Sequence, residues 1–280
     1  MEDLINTLET YYNPMQLQKI ATKLDKVFRL NVFWNGWNEL EKELFSNIDI
    51  DLKSLKSQYH YSDIYNLIIM RYGKTERLVK YYLSKKFIKN EDEVCLFEFK
   101  VGNSRLDFGR INGHSYAYEI KTELDNTSRL SDQIIDYMNA FEYVNVVIHE
   151  KHLKKIKSFL PKKVGIIVYS ANDEDMNFEL IRKANEIKNT KKSFQLNILN
   201  CNDLDYILKK VIKTDKIPSY KNDKLNLVNK EFNNKEFNDV FKEAIKNRQL
   251  KKWKHIKENF DVLKPIELQD AYTYEYSIKL

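Results

Sequence analysis

Apolar positions recur three and four residues apart through the first 90 residues, as in Leu17, Ile20, Ala21, Leu24, Val27 and Phe28, and later Leu78, Val79, Tyr82, Leu83 and Phe87. That spacing places them on one side of a helix, and no alternating run interrupts it. The aromatic group Phe33, Trp34 and Trp37 is read as helix-packing core rather than as a stacking platform for bases. From Asp92 to about Leu199 the pattern changes to short β-branched and aromatic runs. It predicts strands over Glu93 to Lys100, Arg105 to Ile111, Ser115 to Lys121, Tyr143 to His149, Val164 to Tyr169 and Asn177 to Arg182. Helices are predicted between them over Ser128 to Glu142, with Thr127 or Ser128 as N-cap, and over Glu150 to Leu160. Helical periodicity returns after Asp203, with Phe237, Val240, Phe241, Ala244 and Ile245 on one stripe. The polar stretch from Pro218 to Asn234 reads as a turn-rich internal boundary. The expected class is α/β with flanking helical segments, divided into an N-terminal helical region 1–70, a core 71–200 and a basic helical region 201–280.

Composition narrows the class. Six Gly and four Pro in 280 residues are too few for an all-β sandwich or barrel with many tight turns. Cys95 and Cys201 are far apart and show no metal-ligand spacing, which excludes a disulfide scaffold and a structural zinc site. Acidic residues near the N-terminus do not fit a secretory signal, and no run of about 18–20 uncharged apolar residues marks a membrane span. A cytoplasmic protein without a membrane partner is expected. The net charge of +6 is uneven: residues 1–149 carry 19 Lys/Arg against 22 Asp/Glu, and residues 150–280 carry 28 against 19. A half-chain charge of +9 suits a polyanionic partner such as DNA or RNA, as well as a set of solvated helices.

Phosphate-cradling and hydrolase-elbow glycine motifs are absent. His149 and His152 read as surface or capping residues at a strand end. The informative stretch runs from Arg105 to Lys121. Asn112-Gly113 between two alternating runs signals a hairpin, and on its second strand Glu119 and Lys121 leave the same face. A two-residue turn would pair Ile111 with His114 and put Asp107 opposite Tyr118. A three-residue loop with Gly113 left-handed would bring Asp107 onto the face of Glu119 and Lys121. Two carboxylates and a lysine on one face suit Mg²⁺ chemistry on phosphate, whereas an exposed ion pair of the same composition contributes at most ~1 kcal/mol.

The pattern Asp107-(x11)-Glu119-Ile120-Lys121, on a hairpin followed by a helix and a further strand, resembles the core of the PD-(D/E)xK nuclease superfamily, with Leu106 at the motif's proline position. Gln133-Ile-Ile-Asp-Tyr137 looks like the QxxxY helix of its RecB-like members. Lys74-Thr-Glu76 heads a helix similar to the first core helix. Glu98-Phe-Lys-Val-Gly-Asn-Ser-Arg-Leu-Asp107-Phe and Tyr118-Glu-Ile-Lys-Thr-Glu-Leu-Asp125 resemble two segments of a bacterial and phage family with this core. The resemblance covers about 115 residues, from Arg71 to Asn185. It implies a restriction-endonuclease-like α/β fold with a mixed central sheet, and a DNA-hydrolysing enzyme of phage, defence or repair context that uses Mg²⁺ or Mn²⁺. It implies that Asp107, Glu119 and the Ile120 carbonyl bind the metal, that Lys121 acts on the attacking water, and that Gln133 belongs to the catalytic set. Glu98 and Glu76 are further candidate metal ligands. Arg105, Arg110 and Arg129 are expected to meet phosphates, and Tyr137 to reach the bound strand. The helical segments would serve substrate grip, self-association or a protein partner. The competing expectation is a nuclease-derived module that has lost catalysis and binds nucleic acid or a protein, as a phage or defence regulator would.

Overall fold

A computed structural model describes residues 1–29, 35–171 and 176–274. Phe33 and Trp34 lie outside the described residues; Trp37 is half-buried, with the Lys56 ammonium 5.7 Å from its ring centre. The chain divides into two compact units, Met1–Lys85 with Ala171–Asp175 and Asn259–Leu280, and Lys86–Ser170 with Met176–Glu258.

The first unit is helical. In chain order its helices are α1 (Glu2–Tyr11), α2 (Pro14–Val27), α3 (Gly36–Leu40), α4 (Leu52–Gln58), α5 (Tyr61–Tyr72) and α6 (Glu76–Phe87), whose last two residues fall in the second unit. Asn13 and Gln16 form a reciprocal capping box at the start of α2, with Pro14 in the first helical position where a missing N–H costs nothing. Leu17, Ala21 and Leu24 are buried as their spacing requires. On α5 the same rule buries Ile64, Tyr65, Ile68 and Ile69, and Phe28 packs on Tyr65 with ring centres 5.4 Å apart.

The second unit is α/β. Strands β1 (Val94–Val101), β2 (Ser104–Ile111) and β3 (Ser115–Lys121) form an antiparallel meander. Helix α7 (Leu130–Ala140) then returns the chain to β4 (Tyr143–His149), which lies parallel to β3. A short turn Glu150–His152 and helix α8 (Leu153–Phe159) lead to β5 (Gly165–Ala171), parallel to β4. The sheet is completed by β6 (Met176–Arg182), so all six strands lie in sequence order in one mixed sheet. Helices α9 (Lys192–Ile198), α10 (Cys201–Tyr206), α11 (Lys221–Glu231) and α12 (Asn234–Asn259) follow, and α13 (Leu268–Tyr274) belongs to the first unit. One continuous core joins Leu130, Ile134 and Tyr137 of α7, Ile156 of α8, Val144, Val146 and Ile148 of β4, and Phe237, Phe241 and Ile245 of α12.

Two expectations need correction. The stretch Pro218 to Asn234 is not a turn-rich boundary: Lys221–Glu231 is helical and lies inside the second unit. Val228 is fully buried and Leu225 packs beside the same core, which anchors a helix that is otherwise polar. The N-cap of α7 is Arg129 with no side-chain cap bond; Thr127 contributes its backbone carbonyl to the Leu130 N–H.

Candidate functional site

The hairpin loop between β2 and β3 has three residues. Ile111 pairs with Ser115, and Gly113 takes φ +86°, a left-handed conformation open to glycine at no steric cost. The odd loop sets the register Phe108↔Tyr118, and one step further along, it brings Asp107 to the level of Glu119. Beyond Phe108↔Tyr118 the ladder between β2 and β3 stops, while β2 stays paired to β1 as far as Ser104 and β3 stays paired to β4 as far as Lys121. The sheet forks at this point, and the candidate residues line the fork.

Side chains satisfy the backbone groups that the fork leaves without a strand partner. The Ile120 N–H donates to Asp107 Oδ2 at 2.6 Å. The Tyr137 hydroxyl, reaching in from α7, lies 2.8 Å from the Arg105 carbonyl and 2.7 Å from Glu119 Oε2, to which it donates. Lys121 Nζ donates to Glu119 Oε1 at 2.5 Å. Glu119 and Tyr137 have no solvent exposure, and Asp107 is 9% exposed. Burial pulls the Lys121 ammonium down, but the charge and hydrogen bond of Glu119, with Asp107 and Asp125, outweigh it and raise its pKa, so it stays cationic at neutral pH. Burial, then the Glu119 charge, pushes the Tyr137 phenol well above its ordinary range and keeps it a donor. Gln133 lies one turn before Tyr137 on α7, and its Oε1 is buried with no hydrogen-bond partner.

Glu98 stands across β1 from Asp107 in the strand register and has φ +50°, an uncommon conformation for glutamate. The strand changes face there. Leu96 and Phe99 both lie in the core with α7, whereas Phe97 packs on Phe108 with ring centres 5.4 Å apart, next to Trp253. Strict alternation would put Phe97 and Phe99 on one side. Such a rotation costs on the order of 1–3 kcal/mol and is found where surrounding structure over-determines it. The Glu98 carboxylate is 3.7 Å from the exposed Arg105.

The candidates thus separate. Asp107, Glu119, Ile120, Lys121, Gln133 and Tyr137 come together at the fork, with Glu98 and Arg105 beside it. Tyr137 is spent on Glu119 and the backbone, so it positions rather than offering a surface. Arg129 is exposed at the head of α7. Glu76 belongs to the first unit, where it pairs with Lys80. Arg110 is not a free phosphate ligand: its guanidinium bonds Tyr118 at 2.8 Å and Glu93 at 3.2 Å, and lies 3.7 Å from the Tyr116 ring centre. Burial keeps the Tyr118 phenol protonated, its pKa pushed up to about 12.

Two contributors were not singled out from the sequence. Asp136 Oδ2 accepts from Asn103 N–H and Ser104 Oγ, pinning α7 to the tight turn after Gly102. Asp125 accepts from Thr122 N–H and Oγ1, both at 2.7 Å, and closes the chain just after Lys121. The Thr-x-x-Asp spacing is a local signal that would have found it. His152, expected as a surface or capping residue, is buried and makes no side-chain cap bond; its Nε2 lies 2.9 Å from the Thr122 carbonyl, a pairing across 30 residues that no local pattern announces. His149 acts as a cap, its Nδ1 accepting from the Lys151 N–H.

Among the described residues no group of three or more His, Cys, Asp or Glu side chains is arranged to hold a metal ion. The donor set at the fork still fits Mg²⁺, which is held by one or two carboxylates and keeps several waters. Ionised carboxylates offer about four lone-pair sites, so bonding to Lys121 and Tyr137 does not exhaust Glu119.

Comparison with known proteins gives three findings. A family model described as Bacteriophage P4 protein cII matches residues 74–269. Protein cII of Enterobacteria phage P4 is 27% identical over 119 residues, which make up 42% of this chain and 45% of that protein, so the match spans less than half of the relative's length. A solved structure of a protein of unknown function from Silicibacter pomeroyi aligns over 51% of this chain and 93% of that chain at 16% identity, with a TM-score of 0.28, too low to bear on the fold.

Proposed function

The chain belongs to the bacteriophage P4 protein cII family, and from the geometry of its forked sheet we propose that it is a PD-(D/E)xK-type nuclease hydrolysing phosphodiester bonds in DNA with Mg²⁺ or Mn²⁺. One observation carries the reading. The 2.6 Å bond from Ile120 N–H to Asp107 Oδ2 draws the hairpin carboxylate up to the Glu119-Ile120-Lys121 strand, so two carboxylates and an ammonium from separate strands converge where the sheet opens. The order α6, three antiparallel strands, α7, parallel β4 supports it, since that is the arrangement the motif resemblance implies.

Asp107, Glu119 and the Ile120 carbonyl would hold the metal, which when bound polarises phosphate and acidifies water. The protein's own groups account for the rest. Lys121, held cationic, would stabilise charge on the phosphoryl oxygens and orient the water that attacks phosphorus opposite the leaving oxygen. Because the Glu119 pairing raises its pKa, it serves as a cation rather than as a base. Tyr137 holds Glu119 in place, and one turn before it the Gln133 Oε1 stays buried and unbonded.

A second reading has its own support. Both Glu119 oxygens already have donors, and the residue is fully buried, as suits a closed structural cluster in a nuclease-derived module that binds nucleic acid or protein. Incubating the purified protein with supercoiled plasmid and single-stranded DNA in Mg²⁺, Mn²⁺ or chelator separates the two. The nuclease reading expects cutting in metal alone; intact DNA in every condition selects the module.

A further inference from the structure

Helix α8 and its flanks, residues 150–163, carry Lys151, Lys154, Lys155, Lys157, Lys162 and Lys163 against one acid, Glu150, a local charge of +5. All six lysines are exposed, and among the described residues none of them forms an ion pair. Elsewhere in the same unit some cations are matched, Lys224 with Asp205, Lys242 with Glu142 and Arg248 with Asp203. A run of solvated lysines is ordinary on a helix. Two features make this one specific.

The first is position. Strand β4, which leads into α8, pairs Ile148 with Lys121, and the buried His152 at the root of the helix lies 2.9 Å from the carbonyl of Thr122, the residue after Lys121. The basic helix therefore starts at the chemical end of β3 and is tied to it. The second is rigidity. Ile156 and Leu160 are buried in the same core as Leu130, Ile134 and Tyr137 of α7, so the lysine face has a fixed orientation and the apolar stripe is already used. A helix with its apolar stripe in the protein core cannot lay that stripe into a bilayer, which sets aside a lipid surface as the occupant. The remaining polyanion that rewards a fixed row of ammonium groups is a nucleic-acid backbone, through counterion release.

We propose that the α8 lysine face is the nucleic-acid grip of this protein, neutralising backbone phosphates of DNA whose scissile bond lies at Asp107, Glu119 and Lys121. The inference deepens the nuclease reading and rests on it for the substrate. Lys154, Lys155 and Lys157 carry the contact.

The test measures binding of a fluorescent DNA duplex in EDTA, where no cutting occurs, across a salt series. Lys154→Glu/Lys155→Glu/Lys157→Glu is compared with wild type, with the matching arginine variant, and with Lys221→Glu/Lys230→Glu/Lys235→Glu, an equal charge change at exposed lysines of the same unit. Circular dichroism confirms folding of each. The expected result is a loss of affinity on the order of 100-fold at low salt for the α8 reversal alone, with the slope of log affinity against log salt shallower by about three. Arginine replacement should retain binding. Equal weakening by both reversals, absence of DNA binding by wild type, or α8-dependent binding to phosphatidylserine vesicles in place of DNA would overturn the proposal. Loss of binding in the α8 variant beside a wild type that never cuts would uphold the grip and remove the nuclease. Cutting at undiminished affinity by the α8 variant would do the reverse.

Discussion

The Tyr137 hydroxyl reaches from α7 to both arms of the fork, the Arg105 carbonyl of β2 and the Glu119 carboxylate of β3. Phenylalanine keeps the ring and removes the hydroxyl, so buried Glu119 Oε2 loses that donor and the contact with the Arg105 carbonyl is lost with it. Tyr137→Phe is expected to cost on the order of 1–3 kcal/mol in chemical unfolding and to slow DNA cutting at least tenfold; unchanged stability would show that the hydroxyl does not hold the fork. The carboxylates and lysine were legible because spacing in a strand dictates the face, so Glu119 and Lys121 had to emerge together. Tyr137 was legible as a member of the helix motif but not in its role, since a sequence spacing does not say whether a ring points to solvent or into a core. The caging of Arg110 was equally hidden: its partner Glu93 lies 17 residues away and is attached to a different strand end.

Among the elements, the β2–β3 loop decides whether a site exists at all. Three loop residues put Asp107 level with Glu119; deleting Ser115 while the three-residue loop is kept would set Ile111 opposite Tyr116 and Asp107 opposite Ile120, turning Asp107 away from the face of Glu119. That deletion is expected to abolish cutting with the fold retained by circular dichroism. Gly113→Ala is expected to keep the register, because no atom lies within 4 Å of the added methyl, and to destabilise by about 1–2 kcal/mol through the left-handed backbone alone. If cutting survives the deletion, the register argument is wrong. At the start of α5, His60 Nδ1 accepts from the Ser62 N–H while Asp63 accepts from the His60 N–H, a cap that requires neutral imidazole. Burial, then the Lys264 charge, lowers the His60 pKa. A lowered histidine contributes stability above its ordinary value near 6.5, and that contribution is lost as pH falls through it. Thermal melts should therefore show a loss of stability between pH 7 and 5 that His60→Asn reduces, asparagine capping without titrating; an identical pH dependence in the variant would contradict this. The strands were legible because β-branched runs alternate, and α11 was not because only Val228 and Leu225 tie it to the core.

For the whole molecule, the second unit has a core built from its own sheet and helices, and the fork and the basic helix both belong to it. Among the described residues no helix is long and apolar enough to cross a membrane. The α/β class and the mixed sheet were readable from the switch of hydrophobic period near residue 92. The face change at Glu98 was not, since it follows from one backbone rotation whose cause lies in the packing on both sides of the sheet. It stands across β1 from Asp107, where the β2–β3 ladder stops, and the nuclease reading depends on that opening. The most direct test compares Mg²⁺-dependent cutting of DNA by wild type, Glu119→Gln and Lys121→Ala, each first shown by its melt to be folded. Cutting by the wild type that both variants lose by a factor of about 100 or more, with DNA binding retained, is the expected result. A folded wild type that does not cut, or variants that cut as the wild type does, would contradict the assignment of Asp107, Glu119 and Lys121 as a catalytic centre.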